Sequence, residues 1–198
     1  MIYLPQIKKR LCSLSKATNL IAHATSPRQP LIASAFAAID TFADSSSSLL
    51  STTSMSSNNN SREEFIIAYA KNKIVLWSCE RSAIIRRLSC PIVASSSTVT
   101  CLVVSPNNEF MATGHSRGEI LLWNNLPAVL QGAEPVCTRL HWHAHAVTSL
   151  TISSENSRLY SGGHEGVLVV WQINFGKQTF LPRLGQVVTS IVQRYKSE

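Results

Sequence analysis

Residues 99–124 read VTCLVVSPNNEFMATGHSRGEILLWN, and residues 147–172 repeat this unit without a gap as VTSLTISSENSRLYSGGHEGVLVVWQ. Eight aligned positions are identical, whereas unrelated sequence of ordinary composition would match at about one or two. A period of 48 residues is typical of architectures in which each unit packs against its neighbours. The secondary structure of one repeat therefore predicts the fold of the whole repeated region.

The second copy predicts short β-strands separated by turns. Residues 147–153 alternate between two sides, as a strand with one face on a core does. The next four residues are polar turn formers, and residues 158–161 then form a second strand that Gly162 closes. The pattern favours strands over helices.

Glycines mark equivalent turns in both copies. Gly118 and Gly166 each precede an apolar run, at a point where a positive φ carries no steric penalty for glycine. The run after Gly166, residues 167–171, is short and β-branched, which favours a strand buried on both faces. Gly114 takes the place of Gly162 in the first copy.

Tryptophans repeat with nearly the same period and identify further copies. Trp77 lies 46 residues before Trp123, which lies 48 residues before Trp171. Residues 186–193 (QVVTSIVQ) open like the start of another copy. We therefore predict an all-β fold, an incomplete β-propeller of about three blades that end near these tryptophans, with the first strand of another blade.

The repeats resemble those of the WD-repeat family, in which a Gly-His pair leads an inner strand and Ser-Gly-x-x-Asp-Gly precedes a final Trp-Asp. The matching segments are residues 144–145, residues 161–166 and residues 171–172. In that family a His, an Asp, a Ser or Thr and the Trp form a buried hydrogen-bonded network. The resemblance implies that the corresponding residues here are His145, Glu165, Ser161 and Trp171.

The other repeats depart further from the family pattern. In the first copy the positions of the Asp and the His hold Arg117 and Ser97, so no network is expected there. None of the three repeats keeps the Asp after its Trp, and the residues found instead are Ser78, Asn124 and Gln172.

Four segments resemble a nucleolar branch of the WD-repeat family more specifically. They are ATGHSRGEILLW (112–123), LHWHAHAVTSL (140–150), SGGHEGVLVVWQ (161–172) and FLPRLGQVV (180–188). Members of this branch are subunits of the early, transcription-coupled module of the small-subunit processome. The resemblance implies a non-catalytic scaffold in the nucleus and nucleolus that contacts other processome proteins and supports pre-rRNA transcription and early 18S rRNA processing.

Composition divides the chain near residue 62. Residues 1–62 are basic and then Ser-rich, which favours a disordered or irregular lead, and residues 63–198 carry the partial propeller. The basic start also has the composition of an organelle transit peptide. Because three blades leave two flanks without a neighbour, we expect a truncated product, such as a splice form or partial gene model, or an open arc completed by a partner.

A formal net charge of +7 favours polyanionic partners. Solvated surface charge is the alternative for each basic cluster. The sequence holds no RNA-recognition motif, so contact with pre-rRNA is expected at the phosphate backbone and is expected to weaken with salt. The candidate contacts with a partner or with RNA are Arg81, Arg86, Arg87, His141, Trp142, His143 and Arg183.

Three histidines could form a metal site. On an extended strand His141, His143 and His145 would point to one face and could bind zinc. No Asp, Glu or Cys follows at ligand spacing, so structural or partner-contact roles are favoured. We therefore predict that the protein binds no metal. We also predict no cofactor, no small-molecule substrate and no membrane partner. Five cysteines without a C-x-x-C pair favour free thiols in a reducing compartment.

Several function classes remain open on the sequence alone. The resemblance favours a processome scaffold, and we predict that the protein is not an enzyme. A generic WD-repeat adaptor, such as a ubiquitin-ligase substrate receptor, is an alternative because fold alone does not determine function. A nonfunctional truncated isoform and a metal-dependent hydrolase built on the histidine cluster are the other readings.

Overall fold

The computed structural model describes residues 33–41, 61–70, 72–78, 81–182 and 184–193. In this part of the chain, strands form three four-stranded sheets, and no helix is long and apolar enough to cross a membrane. The first sheet contains β1 (Ala33–Thr41), β2 (Ser61–Ala70), β3 (Lys73–Ser78) and β4 (Ala83–Ser89). The second contains β5 (Val99–Val104), β6 (Met111–His115), β7 (Glu119–Asn124) and β8 (Val136–His141), with the short helix α1 (Leu126–Leu130) between β7 and β8. The third contains β9 (Val147–Ile152), β10 (Arg158–Gly163), β11 (Leu168–Gln172) and β12 (Lys177–Leu181).

Each sheet is an antiparallel meander in which every strand pairs with the next strand in sequence. The repeated tryptophans lie on the third strand of each sheet, and none is more than 4% exposed. Trp77 is on β3, Trp123 on β7 and Trp171 on β11. The prediction of an all-β, incomplete propeller is therefore confirmed. Each sheet has the four strands expected of a blade, but the tryptophan lies on the third strand and a fourth strand follows it.

Equivalent turns use equivalent residues, which explains why the two copies fold alike. Between the first and second strands, Asn108 and Asn156 take φ values of 59° and 57°, a left-handed conformation that asparagine tolerates. Before the third strand, Gly118 and Gly166 take φ values of 83° and 68°. Positions one period apart therefore have similar positive φ values.

The hydrophobic cores lie between neighbouring sheets. Phe65 and Tyr69 of β2 pack with Trp123 in the core between the first and second sheets. The opposite face of β7 contributes Ile120 to the core between the second and third sheets, which also contains Trp171. The strand β7 is thus apolar on both faces, as its apolar sequence run predicts. Apolar burial between sheets, at about 25 cal/mol per Å², is the main term that holds the blades together.

Side-chain hydrogen bonds also join neighbouring sheets. The Tyr69 hydroxyl on β2 donates to the carbonyl of Thr100 on β5 at 2.6 Å. The Thr100 hydroxyl in turn donates to the carbonyl of Val147 on β9 at 2.5 Å. One period later, the Thr148 hydroxyl donates to the carbonyl of Val188. The carbonyl of Val188 therefore accepts a hydrogen bond from the third sheet at the position equivalent to that of Val147 on the second sheet.

The segment 184–193 docks on the third sheet as the beginning of a further blade would. A β-carbon on Gly162 would collide with Val188, just as one on Gly114 would collide with Val147. The close approach of this segment to the sheet therefore depends on the missing side chain at Gly162. In the described residues the segment makes these contacts without joining a strand ladder.

The first sheet begins upstream of the boundary that composition suggested. Strand β1, residues 33–41, pairs along its whole length with β2, from Ala33 opposite Tyr69 to Thr41 opposite Ser61. The expectation of an irregular lead over residues 1–62 is therefore corrected for residues 33–41 and 61–62, whose backbone groups pair in a ladder. The Ser-rich run before residue 61 lies outside the described residues.

Candidate interaction cleft and buried networks

A buried hydrogen-bonded network crosses the third sheet. The Trp171 indole N–H donates to Ser161 Oγ at 2.8 Å, and Ser161 Oγ lies 2.7 Å from His143 Nε2. His143 Nδ1 lies 2.8 Å from Glu165 Oε1. One assignment of hydrogens satisfies these contacts: the Ser161 hydroxyl donates to Nε2, and Nδ1–H donates to the Glu165 carboxylate. Four side chains from the β8–β9 loop, β10, the following turn and β11 are thereby locked together.

The histidine of this network is His143, and the expectation that it would be His145 is wrong. His143 is fully buried, whereas His145 is exposed in the loop between β8 and β9. Burial lowers the pKa of His143, and the hydrogen bond and charge of Glu165 oppose that effect. A neutral imidazole is the form that the assigned hydrogen bonds require. Glu165 takes the role expected of it.

Gly163 makes room for the imidazole. A β-carbon at this position would lie 2.9 Å from His143 Nδ1 and 2.5 Å from Glu165 Oε2. These separations are shorter than a real β-carbon contact, so the network in its present form requires glycine here. The need is for space, since the backbone of Gly163 does not have a positive φ.

The second sheet also contains a buried network, although none was expected there. The Trp123 indole N–H donates to Thr113 Oγ1 at 3.0 Å, and Thr113 Oγ1 lies 3.1 Å from His115 Nε2. All three residues are fully buried. Burial lowers the pKa of His115 to about 4. The expectation failed because it looked for the histidine at Ser97, whereas His115 supplies it from β6.

A cleft of about 720 Å³ opens where the second sheet meets the loop that leads to the third. Its walls come from the loop before β5, the turn between β6 and β7, the end of β8, and the loop before β9. The turn and the loop before β9 are in close contact, because a β-carbon on Gly118 would collide with the carbonyl of His143. The charged and aromatic residues that line the cleft are Arg117, Glu119, Arg139, His141, Trp142, His143 and His145.

One ion pair lies in the wall of the cleft. Arg139 Nη2 on β8 lies 2.8 Å from Glu119 Oε1 on β7, and the Glu119 side chain is 9% exposed whereas that of Arg139 is 43% exposed. The two strands are neighbours, with Glu119 opposite His141 and Leu121 opposite Arg139. Pairing on adjacent strands therefore fixes the position of the guanidinium at the cleft.

The two distinctive segments, residues 140–150 and 180–188, meet in space. The Trp142 ring stacks on the Phe180 ring of β12, with centroids 5.3 Å apart and planes at 30°. The Trp142 ring also forms a T-shaped pair with the His143 ring, with centroids 5.4 Å apart and planes at 89°. Trp142 therefore links the buried network to the outer strand of the third sheet.

The predicted basic contacts occupy different environments. Arg86 is held by the segment after α1, where it donates to the carbonyl of Ala133 and lies 2.6 Å from the Glu134 carboxylate. Arg87 is exposed on β4, and Arg81 is exposed in the turn before that strand. Arg183 lies outside the described residues. The structure thus brings His141, Trp142 and His143 together at the cleft and leaves the arginines of the first sheet elsewhere.

The three histidines do not share a free face. His143 uses both ring nitrogens in the buried network, so it has none left for a metal ion. Among the residues that the structure describes, no three His, Cys, Asp or Glu side chains form a metal-binding group. The described thiols, those of Cys90, Cys101 and Cys137, are free.

Burial makes those thiols poor nucleophiles. It raises the pKa of Cys90 to about 12 and the pKa values of Cys101 and Cys137 to about 11. The thiolate is the reactive form, so these side chains are protonated and unreactive at neutral pH. They act as small packing residues beside the cores.

The three sheets are similar in structure to a solved WD40-repeat protein. A solved structure of the WD40 repeats of RRP9 superposes with a TM-score of 0.55 at 24% sequence identity, covering 64% of this chain and 37% of that chain. A likeness of this kind supports the propeller fold.

Sequence comparison narrows the relationship. WD repeat-containing protein 75 of Danio rerio is 38% identical over 99 residues, which make up 50% of this chain and 12% of the relative. U3 small nucleolar RNA-associated protein 17 of Schizosaccharomyces pombe is 44% identical over 59 residues, which make up 30% of this chain and 7% of the relative. The chain thus spans a small part of the length of these relatives. The family model described as the WD repeat-containing protein 75 first beta-propeller matches residues 92–196, more than half of the chain. The chain therefore belongs to the family of WD repeat-containing protein 75 first beta-propellers.

Proposed function

We propose that the chain is part of a non-catalytic scaffold of ribosome biogenesis, a component of the small-subunit processome that supports pre-rRNA transcription and early 18S rRNA processing. The observation that carries the proposal is the family match over residues 92–196. The relative named for its association with U3 small nucleolar RNA supports the same assignment. This function implies the nucleus, and within it the nucleolus, as the compartment. Its partners are then other processome proteins.

The chemistry of the described side chains supports an architectural role. His143, Ser161 and Trp171 hold one another in a buried network, and the described thiols are kept protonated. Such groups stabilise a blade and position its loops. We infer that residues 63–198 present these loops to protein partners.

Contact with pre-rRNA, within this proposal, uses surface charge. Arg87 lies on the last strand of the first sheet, Arg81 lies in the turn before that strand, and both side chains are exposed. Two phosphate contacts would reduce affinity for single-stranded RNA about sevenfold between about 50 and 200 mM salt. Filter binding of an RNA oligonucleotide at several salt concentrations measures how affinity depends on salt. Sequence-selective binding that persists at high salt would contradict recognition of the phosphate backbone.

The test of the scaffold function is purification of the protein that carries this sequence from its own cells. The expected result is co-purification of processome proteins, U3 small nucleolar RNA and small-subunit rRNA precursors. Depletion should reduce new pre-rRNA and 18S rRNA while 5S rRNA, as the control, stays constant.

Two results would overturn the proposal. Recovery of cullin adaptors without pre-ribosomal RNA would support a ubiquitin-ligase substrate receptor. Normal pre-rRNA synthesis and processing after verified depletion would remove the role in ribosome biogenesis altogether.

A further inference from the structure

The cleft at the second sheet has basic side chains that the buried networks do not use. Arg117, Arg139, His141 and His145 line it, and Glu119 is its one carboxylate among the described lining residues. We infer that this cleft binds an acidic, extended segment of a partner protein through the two guanidinium groups. The cleft would bind such a segment whether or not the partner belongs to the processome.

Arg139 is oriented before any ligand arrives. Its Nη2 lies 2.8 Å from the nearly buried Glu119 carboxylate, while the Arg139 side chain itself is 43% exposed. A guanidinium has five N–H donors, so this contact leaves others for a second acceptor. Fixing the side chain in advance reduces the conformational entropy that binding would otherwise cost.

Arg117, in the turn between β6 and β7, is oriented in a similar way. Its Nη1 donates to Ser96 Oγ at 3.3 Å. The turn that carries it is tied to the neighbouring loop, because the Thr98 N–H donates to Ser116 Oγ at 3.0 Å. The contact at Ser96 again uses one donor of the guanidinium, and the rest are left for a ligand.

Charge complementarity favours a carboxylate ligand. Among the lining side chains the Glu119 charge is matched by Arg139, so Arg117 adds an excess positive charge. The neighbouring Glu165 carboxylate is bound by His143 Nδ1 and the Ala144 N–H, and two exposed imidazoles add hydrogen-bonding groups. Arginine and carboxylate form paired, parallel hydrogen bonds that are stronger than neutral ones. A volume of about 720 Å³ is of the size that holds a few residues rather than a folded domain.

Protein is favoured over RNA as the occupant. Proteins that bind single strands without sequence preference combine a basic groove with open aromatic faces for stacking. In this cleft the ring of Trp142 is already stacked on Phe180 and paired in a T shape with His143.

The experiment measures binding of a labelled, end-capped hexaglutamate to the full chain by fluorescence anisotropy at low salt. Extended, this probe is about 20 Å long. Hexalysine and an oligouridylate with six phosphates are the comparison probes. The expected result is saturable binding of hexaglutamate, no binding of hexalysine, and weaker binding of the oligouridylate.

Two variants test the site. R117Q should weaken hexaglutamate binding about twofold to fivefold, since its pair with the ligand is exposed. The double variant E119Q/R139Q should weaken it on the order of fivefold or more. The double substitution leaves the net charge unchanged and leaves no unpaired buried charge, so lost affinity would not reflect net charge or misfolding.

R158Q is the matched control for R117Q. It removes the same charge from an exposed arginine at the start of β10, at the end of that strand far from the turn carrying Glu165. Its affinity for hexaglutamate should equal that of the unaltered chain, and thermal unfolding should show that every variant is folded. Equal binding by all variants, or loss with R158Q as large as with R117Q, would overturn the proposal. Tighter binding of the oligouridylate that R117Q and the double variant abolish would overturn it in favour of an RNA site.

Discussion

His143 Nδ1 lies 2.9 Å from the point at which a β-carbon on Gly163 would stand. The imidazole of His143 therefore uses space that a side chain at position 163 would fill. One period earlier, the equivalent position is His115, whose own imidazole reaches Thr113. The two sheets thus build similar networks from histidines that come from different places in the chain.

The substitution G163A is expected to destabilise the chain by about 1–3 kcal/mol, because the new methyl group overlaps the imidazole and the carboxylate beside it. Urea unfolding of the full chain measures the change. The control is a cycle with H143A: since H143A empties part of the space, the double variant should lose less stability than the sum of the single changes. Strict additivity would show that the two positions do not compete.

The substitution S161A is expected to cost about 2 kcal/mol, since it leaves the Trp171 indole N–H and His143 Nε2 buried without their partner. S154A, at an exposed hydroxyl in a turn of the same sheet, is the matched control and should change stability by less than about 0.5 kcal/mol. The free energy of unfolding from chemical denaturation decides the matter. Similar values for both variants would mean that the network contributes nothing to stability.

Stability is expected to fall as the pH drops from about 6.5 to about 4. Burial lowers the pKa of His115 to about 4 from its ordinary value of 6.5. The unfolded chain therefore takes up a proton in a range where the folded chain does not, and the stability present above pH 6.5 is lost on acidification. The full effect of such a shift is on the order of 3 kcal/mol.

The substitution H115Q isolates this effect, because carboxylates titrate in both proteins. The free energy of unfolding of the unaltered chain should decrease more steeply between pH 6.5 and pH 4 than that of H115Q. Parallel curves would show that His115 takes up its proton equally in the folded and unfolded chain.

The substitution Y69F is expected to reduce stability by about 1 kcal/mol, since it removes the hydrogen bond from β2 to the carbonyl of Thr100 on β5. Y160F, on a side chain of intermediate exposure in β10, is the comparison. Thermal unfolding of both variants measures the difference. A loss in Y160F that matches the loss in Y69F would mean that the bond between sheets has no special weight.

The repeat predicted the sheets well because strand and turn chemistry are local. Alternation in residues 147–153, the left-handed positions at Gly118 and Gly166, and the apolar run ending at Trp171 each depend on near neighbours in sequence. The fourth strands were harder to find, since β8 (Val136–His141) is largely exposed and lacks a regular apolar face. Strand β1 was missed because the composition around it is typical of an unfolded lead.

The networks could be predicted only in part, because their histidines are chosen by contacts between distant segments. The sequence pattern favours His145, which follows the small residue Ala144, whereas His143 is the histidine whose imidazole uses the space left at Gly163. In the second sheet, the imidazole at position 115 of β6 already occupies that space. One sequence signal could have identified both networks: His115 in the first copy aligns with Gly163 in the second. Where the copy has glycine instead of histidine, an imidazole from another segment can fill the space. The cleft needed the structure, since it combines three loops and the pair of Glu119 with Arg139.

The hydroxyls of Thr100 and Thr148 reach forward along the chain, each to the carbonyl of a residue that opens the following unit. A folded sheet therefore provides a hydroxyl that binds the polypeptide following it. Val188 is bound in this way although its segment pairs with no strand among the described residues. During synthesis, when earlier residues fold first, the arc can grow in one direction, with every completed blade serving as the template on which its successor is laid down.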